Sequence, residues 1–161
     1  MDFEKRLEQA IQRGQQKGSA QRDQQRQQSL SEEDLRNRHN DFRLDLSDYI
    51  ETHLKKMASH FPGFEFETIY GSRGWGGAIH RNDITRGTDG RAGTFFSRIE
   101  MTVRPQNEYN VVNVAGKGTI RDKELFNWNH FVDLPDANKD EFHGKIDAWI
   151  MQFAEQFASR S

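Results

Sequence analysis

Cysteine is absent from this chain of 161 residues. That excludes disulfides, thiolate nucleophiles and cysteine-held metal. Proline is scarce: there are three, Pro62, Pro105 and Pro135, each standing where one pattern of residues gives way to another. No apolar run approaches the ~20 residues that span a bilayer. The N-terminal MDFEKRLEQAIQ is charged and lacks the apolar core of a signal peptide. These absences lead us to expect a cytoplasmic protein without a membrane partner. An excess of one charge is missing too. The net charge of −2 argues against nucleic acid, which calls for a basic surface.

Apolar residues make up 34% of the chain against 30% charged, so the core must be small. Twelve phenylalanines offset the shortage, because each large ring buries much area. The length suits one domain with an appendage.

The clearest local signal is TFFSRIEMTVRP, Thr94 to Pro105. Phe95, Ile99, Met101 and Val103 alternate with Arg98, Glu100, Thr102 and Arg104. Side chains alternate across a strand, so this segment reads as a half-buried strand with a charged outer face. FEFETIY (64–70) and AIHRNDI (78–84) read as strands before it. Pro105 to Glu108 is a reversal rich in turn formers. YNVVNVAGKGTIR (109–121) returns, with Gly116 and Gly118 in its apolar phase. Those glycines predict a bulge, a bend or a closely packed helix. LFNWNHFV (125–132) supplies a fifth strand. Short connections between successive strands predict an antiparallel meander.

Helices flank the strands. A stripe of Leu35, Phe42, Leu46, Tyr49, Ile50, Leu54, Met57 and Phe61 predicts a helix from Ser31 to Pro62-Gly63. Ser31 with Asp34 suits its N-cap, and Leu30 with Leu35 a hydrophobic staple. Its ~45 Å exceeds the ~33 Å of a ten-residue strand, so it overhangs the sheet. His39 lies on the same stripe. A second helix, 138–158, is capped by Asn138 with Glu141 and carries Phe142, Ile146, Trp149, Ile150, Phe153 and Phe157 on one side. Residues 1–30 form a Gln-rich tether, flexible or partly helical, with Phe3, Leu7 and Ile11 as an anchoring stripe. Residues 31–161 form the domain. The expected fold is α+β: two layers, a four- to five-stranded antiparallel meander with both helices on one face and water on the other.

Function is less constrained. The loop Gly71-Ser-Arg-Gly-Trp-Gly-Gly77 offers Arg73 and Trp75 to clamp an anion or a planar ligand, yet it lacks phosphate-loop spacing. The loop Thr85 to Gly93 carries Arg86, Asp89 and Arg91, and a meander puts it at the other end of the sheet. The six histidines (39, 53, 60, 80, 130 and 143) show no ligand spacing, so neither a metal nor a cofactor is expected. There is no Gly-x-Ser-x-Gly elbow and no catalytic triad order. The expected function is a non-enzymatic protein-interaction or adaptor module, a homodimer in its simplest form, with Arg73, Trp75, Arg98, Glu100 and Arg104 as binding residues. One alternative is a small-ligand protein or enzyme with a pocket between sheet and C-terminal helix, edged by Trp75, Trp128 and His130. Another is weak RNA binding through Arg73, Arg86, Arg91, Arg98 and Arg104.

Overall fold

A computed structural model of the protein describes residues 2–86 and 90–160. The side chains of residues 27–30 and 85 lie outside that description, and with them Leu30 of the expected staple. Asp89 of the second loop lies outside it as well.

Helix α1 spans Phe3–His60, 58 residues in one piece. The expected start at Ser31 is corrected: Ser31 is an exposed residue inside the helix. Gln, Arg, Lys and Ala all favour helix, and no proline occurs before Pro62 to break it. The cap is Asp2 instead, whose carboxylate accepts a hydrogen bond from the Lys5 N–H at 3.0 Å. Residues up to Asn37 and those from Arg38 onward make two compact units. In the first unit Phe3, Leu7 and Ile11 are exposed.

The second unit holds the rest of α1, five strands and a second helix. The strands are β1 (Glu65–Ile69), β2 (Trp75–Arg86), β3 (Ala92–Val103), β4 (Val111–Ile120) and β5 (Lys123–Asp133). They pair in chain order, each antiparallel to the next, as the short connections require. A short 3-10 turn, Leu134–Asp136, leads to α2 (Lys139–Arg160). The Asn138 side chain caps α2, accepting from the Asp140 N–H at 2.8 Å. Glu141 turns its carboxylate to His130, 3.1 Å away.

Both helices cover one face of the sheet. Arg43 and Lys55 of α1 lie over the rings of Trp75 and Phe66. From α2, Trp149 stacks on Trp128 and Phe153 lies against Phe126. Phe42, Leu46, Ile50, Leu54 and Met57 of α1, Ile79, Ile99, Met101, Val112 and Val114 of the sheet and the α2 stripe are all buried and make up the core. The two helices also hold each other through Phe42 on Phe142, and Phe61, just past the end of α1, packs on Phe157.

The glycines explain two details. Strand β2 begins at Trp75, three residues earlier than the alternation in 78–84 indicates. Gly77 pairs with Met101 and leaves room for the Phe66 ring, which an added Cβ would meet at 2.6 Å. Trp75, Gly76 and Gly77 are therefore strand rather than loop. Gly118 sits at a register shift in the β4–β5 ladder, and its missing side chain admits Phe126 and Phe153. Bulge and close helix packing occur together there.

Candidate functional site

Within the second unit, no element among the described residues covers the outer face of the sheet. Its residues follow from strand phase: Glu65, Glu67 and Ile69 on β1, Ala78 and His80 on β2, Arg98, Glu100 and Thr102 on β3, Ala115 and Lys117 on β4, and Asn127 on β5. Register places Glu100 directly opposite both Ala78 and Lys117, and Lys117 opposite Asn127. Arg73 arrives from the turn at 70–74, and Arg104 continues β3 past its last paired residue.

These side chains enclose a cavity of about 140 Å³. Its floor is Ile69, Thr102 and Ala115; its rim is Arg73, Arg104, Lys117, Glu100 and Asn127. Ile69 is 6% exposed and Thr102 8%, although both lie on the uncovered face. Long charged side chains shelter such residues by laying their aliphatic stems over them.

The charges on this face are not equally committed. Arg98 binds the Glu67 carboxylate and approaches Glu100, with 3.7 Å between its second terminal nitrogen and Oε2. The hydrogen bond from Arg98 holds Glu67 below the usual carboxylate range, helped by the Arg98 charge and, more weakly, by His80 and Arg73. Arg73, Arg104 and Lys117 have no carboxylate within salt-bridge distance among the described residues. Three cations thus surround a small hollow that contains one carboxylate, itself turned toward Arg98.

Arg104 is also tied down from behind. His39 on α1 is 2% exposed and hydrogen-bonds the Arg104 backbone. Burial lowers its pKa first, and the nearby Arg43 charge lowers it further. Its Nε2 is buried without a partner. The Arg104 N–H donates to the Asn113 carbonyl at 2.8 Å, so the strand end is held from both sides.

Four of the five expected binding residues lie on this face. Arg73, Glu100 and Arg104 line the cavity, and Arg98 stands beside it. Trp75 does not join them. It shares the inward phase of Gly77 and Ile79, and the Arg43 guanidinium lies 4.5 Å from its ring centroid. Arg73 and Trp75 are thus on opposite sides of the sheet, because β2 starts inside the supposed loop. Lys117 and Asn127 were missed, although Lys117 stands in the outer phase between two inward glycines. Arg86 and Arg91 flank the β2–β3 connection, at the far end of β2 from Arg73.

The space edged by Trp75, Trp128 and His130 is packed. Trp128 lies parallel to Trp149 with centroids 5.5 Å apart, and His130 sits edge-on to Phe142 at 5.1 Å. A titratable cluster forms on the helices instead. Tyr49 is sandwiched between His53 at 3.8 Å and His143 at 3.9 Å. Its hydroxyl lies 2.8 and 2.9 Å from the two Asp147 oxygens, and His143 is 2.7 Å from Asp45. Burial and the Asp147 contact raise the Tyr49 pKa to about 12. The dispersed histidines hid this cluster, since His53 and His143 are far apart in the chain. Among the described residues no group of histidines and carboxylates has the geometry to hold a metal ion, and no helix is long and apolar enough to cross a membrane.

No family model, curated protein or solved structure matches this chain.

Proposed function

We propose that this protein is a non-enzymatic interaction module whose outer sheet face receives an anionic group of a protein partner. The observation that carries the reading is the hollow ringed by Arg73, Arg104 and Lys117, three cations without a carboxylate of their own. At about 140 Å³ it is smaller than the ~300–1,000 Å³ of small-molecule sites. It suits one carboxylate, such as an Asp or Glu side chain or a chain terminus. A charge pair at ~4 Å is worth about 1 kcal/mol in water and about 4 near a protein surface, so three cations favour an anion strongly enough to orient a partner. Phe131, exposed on the same face, offers an aromatic anchor of the type that concentrates binding energy. The cysteine-free composition favours a cytoplasmic setting.

The test is calorimetric titration with an acidic peptide of alternating Asp and Glu, beside the same peptide built from Asn and Gln. The acidic peptide should bind and the neutral one should not. Lys117→Glu and Arg73→Glu should each weaken binding about tenfold, equivalent to ~1.4 kcal/mol. Equal binding to wild type and to both variants sinks the reading. Light scattering on the same samples checks self-association through this face.

A further inference from the structure

The sheet ends in two edges, and they are built differently. Strand β1 is five residues long and carries Glu65 and Glu67 in its outer phase. Short length and charge keep a free edge from pairing with another strand. Strand β5 has neither guard. It is 11 residues long and contains no proline. Between Leu125 and Val132 its one ionisable side chain is His130, which meets Glu141 of α2. Within the second unit, no strand among the described residues pairs with the far side of β5.

The ladder behind this edge fixes which backbone groups are free. The Leu134 N–H donates to the Asn110 carbonyl at 2.9 Å, two residues beyond the Val112–Val132 pair. Hydrogen-bonded pairs recur at every second residue of an antiparallel ladder. Phe126, Trp128, His130 and Val132 therefore bond to β4. The N–H and carbonyl groups of Asn127, Asn129 and Phe131 point out at the free edge.

That edge is complementary to itself. Let a second copy lie antiparallel, with Trp128 on the two-fold axis. Asn127 then pairs with Asn129 of the second copy, Leu125 with Phe131, and Lys123 with Asp133. No like charges stand opposite each other. The free groups of Asn127 and Asn129 fall in hydrogen-bonded pairs, and Trp128 meets its own copy where side chains approach most closely. Phe131 is 61% exposed and gains a cover. Helix α2 fits the same arrangement. It straddles β4 and β5, since Phe153 lies against Phe126 and in the space left by Gly118. Strands ~4.8 Å apart then set the two α2 helices about 10 Å apart, the separation of packed helices. The α2 flank beside β5 is marked by Glu141 and Gln152, bonded to His130 and Trp128. Between them at helical spacing stand exposed Lys145 and the small Ala148. A lone peptide fills the edge and leaves this flank open, whereas a second copy supplies both a strand and a helix.

We propose that β5 pairs antiparallel with β5 of a second copy, joining two five-stranded sheets into one. The guarded β1 edges close the assembly at two copies. The pairing does not rest on anion binding at the outer face, so either can fail alone.

The experiment is light scattering on the full chain over a concentration series. The mass should approach twice the 18.8 kDa of one chain. Asn129→Pro removes an edge N–H without touching the β4 ladder and should return the mass to one chain. Asn127→Lys with Asn129→Lys sets lysines opposite each other twice across the axis and should weaken association about tenfold. Asn127→Glu with Asn129→Lys sets opposite charges there and should restore it. Circular dichroism checks that the variants fold; should the proline variant not fold, the two charge variants decide. Arg73→Glu, far from this edge, should leave the mass unchanged. A monomer at every concentration overturns the proposal. So does a dimer that persists in folded Asn129→Pro, or one that does not separate the two charge variants. Growth beyond two copies overturns it in favour of an open array. A dimer lost in Leu7→Glu but kept in Asn129→Pro overturns it in favour of the N-terminal stripe.

Discussion

The two faces of β3 differ sharply in what their side chains meet. On the inner face Ile99, Met101 and Val103 are fully buried under the helices. On the outer face, one residue out of step, Arg98 holds two carboxylates in reach of water. The backbone hydrogen bonds are common to both, so the contrast isolates what side-chain burial adds. It implies that stability comes from the helix side, while the outer face is free to specialise in charge. The helix side is not uniform either: a hollow of about 410 Å³ lies between α1 and α2, lined by His53, Met57, Ile150 and Met151.

The strongest way to break this contrast is to truncate both sides. Phe153→Ala removes a fully buried ring that touches Phe126 and Phe157, and should cost ~3–5 kcal/mol in urea unfolding. A loss under 1 kcal/mol means the core is not where stability resides. Gly118→Val comes next. It drives a side chain into Phe126 and Phe153 from the sheet side and should cost ~1–3 kcal/mol. Tyr49→Phe leaves Asp147 without its hydroxyl donor and should cost ~1 kcal/mol at neutral pH. Tyr49 sharpens the comparison further through pH. Its folded pKa lies above the unfolded value, so its contribution is complete below pH ~10 and is lost as pH rises toward 12. Ultraviolet titration should show one tyrosine ionising late, and the phenylalanine variant should lack it.

His39 carries the opposite sign. Its folded pKa is lowered, so the unfolded chain takes up the proton first as pH falls below ~6.5. Stability should decline from there until the folded-state pKa is passed. His39→Gln should flatten that slope in unfolding curves between pH 7 and 5; an unchanged slope removes His39 as its source. The smallest effect belongs to the outer face. Arg98→Ala frees Glu67 and Glu100, but Glu67 is nearly half exposed, so the loss should be ~0.2–1 kcal/mol and should shrink in high salt. Because Glu67 is lowered, this contribution is present above its unfolded pKa of about 4.5 and fades as pH falls through the folded value. A cost comparable with Phe153→Ala would erase the distinction between the faces.

Much of the architecture was readable from local patterns. The α2 stripe from Phe142 to Phe157 and the alternation in 94–104 are short-range signals, and burial follows both. The start of α1 was misplaced because a good N-cap pair at Ser31 and Asp34 can occur inside a helix that nothing interrupts. The Gly-rich segment was misjudged for a related reason. Gly76 and Gly77 have the composition of a loop, but they make room in a strand for Phe66 and the β3 backbone.

The binding residues divide in the same way. Arg98, Glu100 and Arg104 share a face because alternation along one strand says so. Lys117, Asn127 and Ile69 join them only through cross-strand register, from other strands of the sheet. Tyr49 and His53 are one turn apart on α1, but His143 and Asp147 join them only because two helices lie side by side. By itself the sequence determined the elements, their order and which side of each would be buried, since those depend on the period of the chain with itself. The tertiary structure alone decided which charged and aromatic residues converge, because that depends on register and on the packing of helix against helix, which no local period records.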